Sequence, residues 1–380
     1  MRLKLIYVCG FLLSIHYASI VYLNSSLLSK FVSGSSLNII YAIGSAGSIL
    51  MLFLTPFLFR KLGNVYSFLF FIIAEAFIVF GIGSTELGIL ILGLFLIYQS
   101  LESVLYFCLD IALEEETKKE GSTGGRRGLF LTAQNIAWVC APLALALLVD
   151  DSNFKNVYYL SSLALIPVFL IILPFFKNTK FRDGHTSHAL LVFHSLLKGG
   201  DKTRTIICQF LLNAFYAWMV IYLPLVLSNE MGFSWHTIGI ILSIMLLPFL
   251  LFELPAGLLA DKKFGEKEML TIGFSVMALS TFVIPFIHSS NWVVWAIVLF
   301  ITRMGASLVE ISNESYFFKH VKAHDTGIIS IFRMLRPFAY MIVPLITIPI
   351  VSSFSYSASF AFLAILPALG LAFLPKIDTK

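Results

Sequence analysis

Charged residues are scarce along this chain. Only 12% of its 380 residues are Asp, Glu, Lys or Arg, whereas 58% are hydrophobic. Ordinary soluble domains carry roughly twice that share of charge. The mean hydropathy of +0.91 likewise shows that the chain is predominantly apolar. The sequence therefore predicts an integral membrane protein and excludes a water-soluble domain.

The sequence also has few of the residues and motifs that carry enzymatic chemistry. No phosphate-binding loop ending in Lys-Ser or Lys-Thr occurs, and neither Gly-x-Ser-x-Gly nor His-Glu-x-x-His is present. There are only four cysteines, all inside apolar runs, so we expect free thiols and no disulfide framework. We expect neither an enzyme nor an ATP-driven pump, and no metal or other cofactor.

What the chain does have is apolar runs long enough to cross a membrane. A hydrocarbon core of roughly 30 Å requires about 20 helical residues. Twelve runs meet this length and predict an all-α membrane protein with twelve transmembrane helices. The predicted spans are 4–24, 37–59, 65–83, 87–111, 128–149, 157–176, 205–227, 236–260, 267–288, 291–317, 326–349 and 355–374.

The positions of the basic residues predict the topology. If both termini are cytoplasmic, the inward segments contain 21 of the 26 lysines and arginines. Only Lys30 and Lys155 then lie in outward loops, and three arginines lie within spans. Such an excess is the positive-inside pattern of membrane proteins. It explains the net charge of +5 without nucleic acid, and it predicts a multi-pass protein of the cell membrane.

The two halves of the chain repeat each other. CGFLLSIHYASIV (9–21) matches CQFLLNAFYAWMV (208–220) at seven of thirteen positions. FRKLGN (59–64) recurs as DKKFGE (261–266). We therefore predict two pseudo-symmetric six-helix bundles, residues 1–176 and 205–380, joined by a cytoplasmic linker at 177–204.

One loop resembles a known family signature. GLLADKKFGEK (257–267) lies between spans eight and nine and resembles the loop motif of the major facilitator superfamily. The motif runs glycine, apolar residues, aspartate, a basic residue, glycine and further basic residues. This sequence departs from it at Glu266, where a basic residue is usual. The first-half copy also has Phe59 in place of the aspartate.

The resemblance implies a secondary transporter whose substrate site lies between two six-helix halves. It implies that spans 1, 4, 7 and 10 line a central cavity, while spans 3, 6, 9 and 12 face lipid. Glu75 of span 3 then has no predicted role. The resemblance also implies a cytoplasmic gate, which we assign to Arg60, Lys61, Asp110, Asp261, Lys262, Glu314, Arg333 and Arg336.

Acidic residues within spans are candidates for proton coupling. A charge at the bilayer centre costs at least about 2.5 to 3.5 kcal/mol, so each needs a partner, water or a function. The candidates are Glu102, Glu310 and Glu253. Alternatively, Arg333 and Arg336 pair with Glu310 and Glu314 in a structural ladder, and Glu253 acts as a latch between the halves.

Polar and aromatic residues on the cavity spans are candidates for substrate binding. Aromatic rings together with amide and hydroxyl groups suit an amphiphilic organic ligand. The alternative is that these rings only pack between helices. The candidates are Ser14, His16, Tyr17, Gln99, Gln134, Gln209, Asn213, Tyr216, Trp218 and Arg303.

The sequence therefore predicts a monomeric transporter that alternates access for a small organic solute and works in the lipid bilayer. Proton coupling and efflux of an amphiphilic, cationic compound are slightly favoured. Uptake of a sugar or metabolite, and a uniporter with purely structural acids, remain open alternatives. A further alternative is a non-transporting sensor or a lipid-handling protein on the same scaffold.

Overall fold

The described part of the chain is helical. The computed structural model describes residues 2–117, 123–149, 153–176, 200–259, 264–320 and 326–374. These residues contain helices and connecting turns, and no β-strand occurs among them. The helices are α1 (Arg2–Val21), α2 (Asn24–Leu28), α3 (Gly34–Leu62), α4 (Asn64–Ser84), α5 (Gly88–Thr117), α6 (Thr123–Leu148), α7 (Lys155–Phe175), α8 (Asp201–Leu225), α9 (Trp235–Leu259), α10 (Glu266–Val283), α11 (Trp292–His320), α12 (Thr326–Ser353), α13 (Tyr356–Leu363) and α14 (Ile365–Ala372).

Within the described residues, eleven helical stretches are long and apolar enough to cross a membrane. They correspond to the first eleven predicted spans. The twelfth predicted span, 355–374, is instead divided into α13 and α14, which meet at Ala364. Pro367 explains the interruption, because a proline has no N–H to donate to the carbonyl of Leu363, four residues earlier.

The helices cluster into two compact units. One unit contains α1 to α7 together with residues 234–243 at the start of α9. The other contains α8, the remainder of α9 and α10 to α14. The predicted linker lies mostly outside the described residues, which resume at Gly200.

Each unit is built in the same way. In the first unit, α1 packs against α6 and α7, and α4 packs against α5. In the second unit, α8 packs against α12 and α14, and α10 packs against α11. The last contact is close: a Cβ atom added to Gly273 would lie 2.8 Å from the Gly305 carbonyl oxygen. Small residues permit such approaches between transmembrane helices.

The repeat also appears in backbone geometry. Gly63 precedes α4 with φ 93° and ψ 163°, and Gly265 precedes α10 with φ 91° and ψ 157°. Side chains clash with the backbone in this region of conformational space, so it is essentially restricted to glycine. Two glycines 202 residues apart therefore make the same turn in both units.

We predict that Gly63→Ala and Gly265→Ala each lower the free energy of unfolding by about 1 to 3 kcal/mol, because alanine is strained in this conformation. Thermal unfolding in detergent, followed by tryptophan fluorescence, measures the effect. Gly93→Ala is the control, since no atom lies within 4 Å of an added Cβ there. That helical position should be unchanged or slightly stabilised. Equal melting temperatures for all three variants would contradict the prediction.

Candidate functional site

Glu310 and Tyr216 join two helices of the second unit. The Tyr216 hydroxyl on α8 donates a hydrogen bond of 2.7 Å to Glu310 Oε2 on α11. Phe249 of α9 packs edge-on against the Tyr216 ring, with 6.2 Å between ring centroids. Glu310 therefore has a phenol as a hydrogen-bond partner. The other acid predicted for proton coupling in this unit, Glu253, is half-buried on α9.

Arg303 lies on α11, seven residues before Glu310 and hence two turns away on the same face. Its side chain is only 2% exposed. Its guanidinium carbon lies 5.5 Å from the ring centroid of Phe215 and 5.0 Å from that of Tyr216. These cation–π contacts stabilise the charge but occupy none of its N–H donors.

Two donors of Arg303 remain unused. Nε and Nη2 are buried and have no hydrogen-bond partner among the residues that the structure describes. Burying a donor without an acceptor costs free energy, and more so when the donor carries charge. The site can therefore accept an anionic or hydrogen-bond-accepting group at Arg303. It combines a cation, an acid and a phenol.

Polar contacts between helices occupy several of the predicted cavity residues of this unit. Asn313 Nδ2 donates to Gln209 Oε1 at 2.8 Å and to the Thr205 carbonyl at 3.2 Å, which joins α11 to α8. Trp218 Nε1 donates to Ser359 Oγ on α13 at 3.2 Å. These bonds hold Gln209 and Trp218 in helix packing. Asn213, also on α8, is buried.

The predicted cavity residues of the first unit are also packed between helices. The Tyr106 hydroxyl donates to Ser14 Oγ at 3.4 Å, and Tyr17 lies edge-on to the rings of Tyr106 and Trp138. Gln99 packs so closely on α3 that a Cβ at Gly44 would lie 2.8 Å from it. Glu102 is buried on α5, and Gln134 is half-buried on α6.

His16 and Glu75 are placed together inside the first unit. His16 Nε2 lies 3.6 Å from Glu75 Oε1, and both residues are at most 1% exposed. Glu75, for which the sequence predicted no role, is therefore buried against α1 although it lies on a span that was expected to face lipid. α4 presents Phe71, Glu75 and Val79 inward, whereas Phe77 is 74% exposed. Because α4 is apolar around its whole circumference, its sequence pattern does not reveal which face is buried.

The predicted gate residues are only partly described. Arg60 and Lys61 are exposed at the end of α3, and Asp110 is half-buried on α5. Asp261 and Lys262 lie outside the described residues. Arg333 Nη1 lies 3.6 Å from Glu314 Oε1, which is one rung of the predicted ladder, and Arg336 is half-buried one turn further along α12.

Sequence reasoning treated Glu266 only as a departure from the family motif. In the structure Glu266 is buried in the first turn of α10 and pairs with the Lys319 ammonium, and Ser315 Oγ donates to its Oε1 at 3.2 Å. An acid in the first turn of a helix is favoured by the helix dipole. Its position directly after Gly265 was the signal that could have identified Glu266 as an acid in the first turn of a helix.

Comparison with known proteins agrees with this architecture. The family model of the Major Facilitator Superfamily matches residues 205–379. A mutant of the nucleoside transporter NupG superposes with a TM-score of 0.80 at 15% identity, over 98% of this chain and 99% of the other. No curated protein sequence matches the chain.

Two further solved structures are similar to the chain. A bacterial homologue of the human lysosomal transporter Spinster, in an inward-facing conformation, gives a TM-score of 0.75 at 10% identity, covering 98% and 95% of the two chains. The human organic anion transporter MFSD10 gives 0.67 at 14% identity, covering 98% of both. At these identities the structural likeness establishes the fold alone.

We predict that Tyr216→Phe lowers the free energy of unfolding by about 1.5 to 3 kcal/mol in alkaline buffer, because an ionised Glu310 loses its donor. Tyr158→Phe is the matched control. The Tyr158 hydroxyl donates a hydrogen bond of 2.8 Å to Oδ1 of the neutral Asn24 side chain. Loss of this bond should lower the free energy of unfolding by only about 0.5 to 1.5 kcal/mol. Thermal unfolding of both variants tests this. A larger loss for Tyr158→Phe would count against a charged acceptor at Glu310.

Proposed function

We propose that the protein is a member of the major facilitator superfamily and a proton-coupled secondary transporter of a small organic solute, on the sequence of its second half and the fold of the whole chain. The superfamily works in the lipid bilayer by exposing one site alternately to either side. The proposal concerns what drives the movement and what is moved.

The observation that carries the proposal is the cluster of Arg303, Tyr216 and Glu310. Ionisable residues within transmembrane helices are costly and usually serve a function. Glu310 can bind a proton while Tyr216 supplies or withdraws a hydrogen bond, and Arg303 retains two buried donors without an acceptor. One helix, α11, thus presents a proton-binding group and a solute-binding group two turns apart.

The unused donors of Arg303 favour a solute with a carboxylate, phosphate or other acceptor group. The rings of Phe215 and Tyr216 beside the guanidinium suit an aromatic or apolar portion of the same molecule. Two structurally similar proteins are described as a nucleoside transporter and an organic anion transporter. Nucleosides and organic anions both carry hydrogen-bond acceptors and are compatible with this site. We propose an amphiphilic solute with an acceptor group, and this replaces the cationic one that the sequence slightly favoured.

The direction of net transport is a separate question. Efflux of an amphiphile is the direction that the sequence slightly favours. Uptake of a metabolite is the second candidate. Arg303 favours uptake because its positive charge suits an anionic solute. An anion and a proton neutralise each other within one site, so they can be carried together down an inward proton gradient. A liposome assay with gradients of both signs distinguishes the two.

We predict that Glu310→Gln abolishes the dependence of transport on a pH gradient in liposomes, because the amide cannot release a proton. Each unit of pH gradient can drive about tenfold accumulation for one proton per solute. In the variant this ratio should fall to about one, whereas exchange of solute across the membrane without a gradient continues. Radiolabelled nucleosides and aromatic carboxylates are the solutes to screen.

Glu86→Gln is the matched control for this assay. Glu86 lies in the turn between α4 and α5, where the Lys155 ammonium, 2.9 Å away, lowers the pKa of its carboxyl group. It therefore stays ionised over the assay range, and its replacement should leave coupling unchanged. Glu102→Gln and Glu253→Gln test the other two acids. If wild-type transport ignores the gradient, the proton-coupled function is wrong.

We predict that Arg303→Met weakens binding of an aromatic carboxylate by about 10- to 100-fold, which is the value of one or two charge-assisted hydrogen bonds. The neutral amide of the same compound is the control ligand and should bind Arg303→Met nearly as well as wild type. Isothermal calorimetry on protein in nanodiscs measures both affinities. Equal losses for the acid and the amide would argue that Arg303 only supports the packing of α11.

A further inference from the structure

The His16–Glu75 pair is a second cluster of ionisable groups, and the proposed function does not use it. It lies between α1 and α4 within the first unit. His16 Nε2 faces Glu75 Oε1 at 3.6 Å, just beyond hydrogen-bonding distance. Neither this nitrogen nor either carboxylate oxygen of Glu75 has a hydrogen-bond partner among the described residues. Three buried polar atoms therefore converge without any other protein group to satisfy them.

The hydrogen bonds of Ser161 determine which nitrogen of His16 carries a proton. Ser161 Oγ donates its only hydrogen to the His16 carbonyl oxygen at 2.8 Å. The Ser161 carbonyl oxygen, which can only accept, lies 3.1 Å from His16 Nδ1. Nδ1 is therefore the donor, and it also lies 2.8 Å from Ser161 Oγ, whose lone pairs can accept. In the neutral ring the lone pair of Nε2 then points toward Glu75.

A lone pair opposite a carboxylate requires a proton between them. Without that proton the pair is a bare buried anion with no donor, which is strongly disfavoured in a low-dielectric interior. With one proton it is neutral as imidazole and carboxylic acid, because a separated imidazolium and carboxylate are disfavoured in a low-dielectric interior. The geometry thus defines a site that binds and releases one proton and changes from neutral to negative on release.

Several groups face this site from the helices packed around it. From α5, the Tyr98 ring lies edge-on to His16 with 6.4 Å between centroids, and Glu102 is close enough for its charge to act on His16. From α7, Tyr158 is engaged with Asn24. Among the described residues of these helices, Glu102 is the other carboxylate whose charge acts on His16. Its negative charge favours a proton on the pair by Coulomb attraction.

The second unit shows that packing does not require these residues. In the repeat, His16 corresponds to Phe215 and Glu75 corresponds to Met277. Phe215 and Met277 are both 0% exposed, as Glu75 is. The same positions in the same chain are therefore filled by apolar side chains. At these two positions an acid and a base are present in only one of the two units, although apolar side chains fill the same positions in the other.

We propose that His16 and Glu75 form a proton-binding site inside the first unit whose loading and release contribute to coupling. This inference rests on the proposed proton-coupled function for its role, but the binding of the proton is testable by itself. The site is separate from Glu310, so the two proposals together place one proton-binding site in each unit. Ser161 is a positioning residue, because it fixes the tautomer that directs Nε2 at Glu75.

The test replaces His16 and Glu75 by the residue types that occupy the equivalent positions of the second unit. His16→Phe with Glu75→Met removes both polar partners and leaves no orphaned charge, so this double variant should fold with a melting temperature close to that of wild type. Glu75→Gln is the second, nearly isosteric variant. Infrared difference spectra of full-length protein in nanodiscs, between about pH 5 and about pH 8, then report carboxylic acids that lose a proton.

The expected result is a carboxylic-acid band in wild type that is absent from Glu75→Gln and from the double variant and retained in Glu86→Gln. In liposomes, accumulation per unit of pH gradient should fall about tenfold in both pair variants, because one coupled proton per solute is lost. An unchanged infrared band in Glu75→Gln would overturn the proton site. Wild-type coupling in a folded double variant would overturn its role.

The two proposals fail differently. If Glu310→Gln removes gradient dependence and the double variant retains it, the proposed function stands and the pair is structural. If wild-type transport shows no gradient dependence, the proposed function fails, and the infrared band alone decides whether His16 and Glu75 share an exchangeable proton.

Discussion

The high cost of charge in a low-dielectric interior is the constraint on which the rest of this structure depends. The chain has few ionisable residues, and those within the helices are placed where a partner or a function compensates for burial. Glu266 is satisfied by Lys319 and Ser315, and Glu310 by Tyr216. Arg303 and the His16–Glu75 pair retain unsatisfied atoms. We have proposed that a ligand completes the structure at Arg303 and a proton completes it at the His16–Glu75 pair.

Sequence patterns were sufficient for features that depend on length and repetition. The transmembrane helices follow from runs of apolar residues, and the duplication appears both in the sequence and in the paired turns at Gly63 and Gly265. The face that each helix buries was harder to predict. A soluble helix shows its buried face by contrast with polar residues, but α4 is apolar on all sides. Glu75 was therefore left without a predicted role.

The same difficulty affects the candidate site. The spacing of Arg303 and Glu310 placed them on one face of a helix, and the structure has them two turns apart on α11. The sequence did not indicate that Tyr216 would be the partner of Glu310, or that Trp218 would bind Ser359. Contacts between helices depend on helix rotation, which a single sequence of mostly apolar residues leaves undetermined. Candidate residues were thus identified more readily than their partners.

Electrostatics also links the charge of the solute to the direction of transport. Under the proposed function, protonation of Glu310 would remove the negative charge that competes for Arg303 on the same helix, so an anionic solute would bind best when the proton is bound. A positively charged solute would instead compete with the proton for Glu310 and be repelled by Arg303. The first arrangement moves solute and proton together, and the second moves them in opposite directions. Because Arg303 has unused donors, the cluster favours joint movement of an acceptor-bearing solute with the proton.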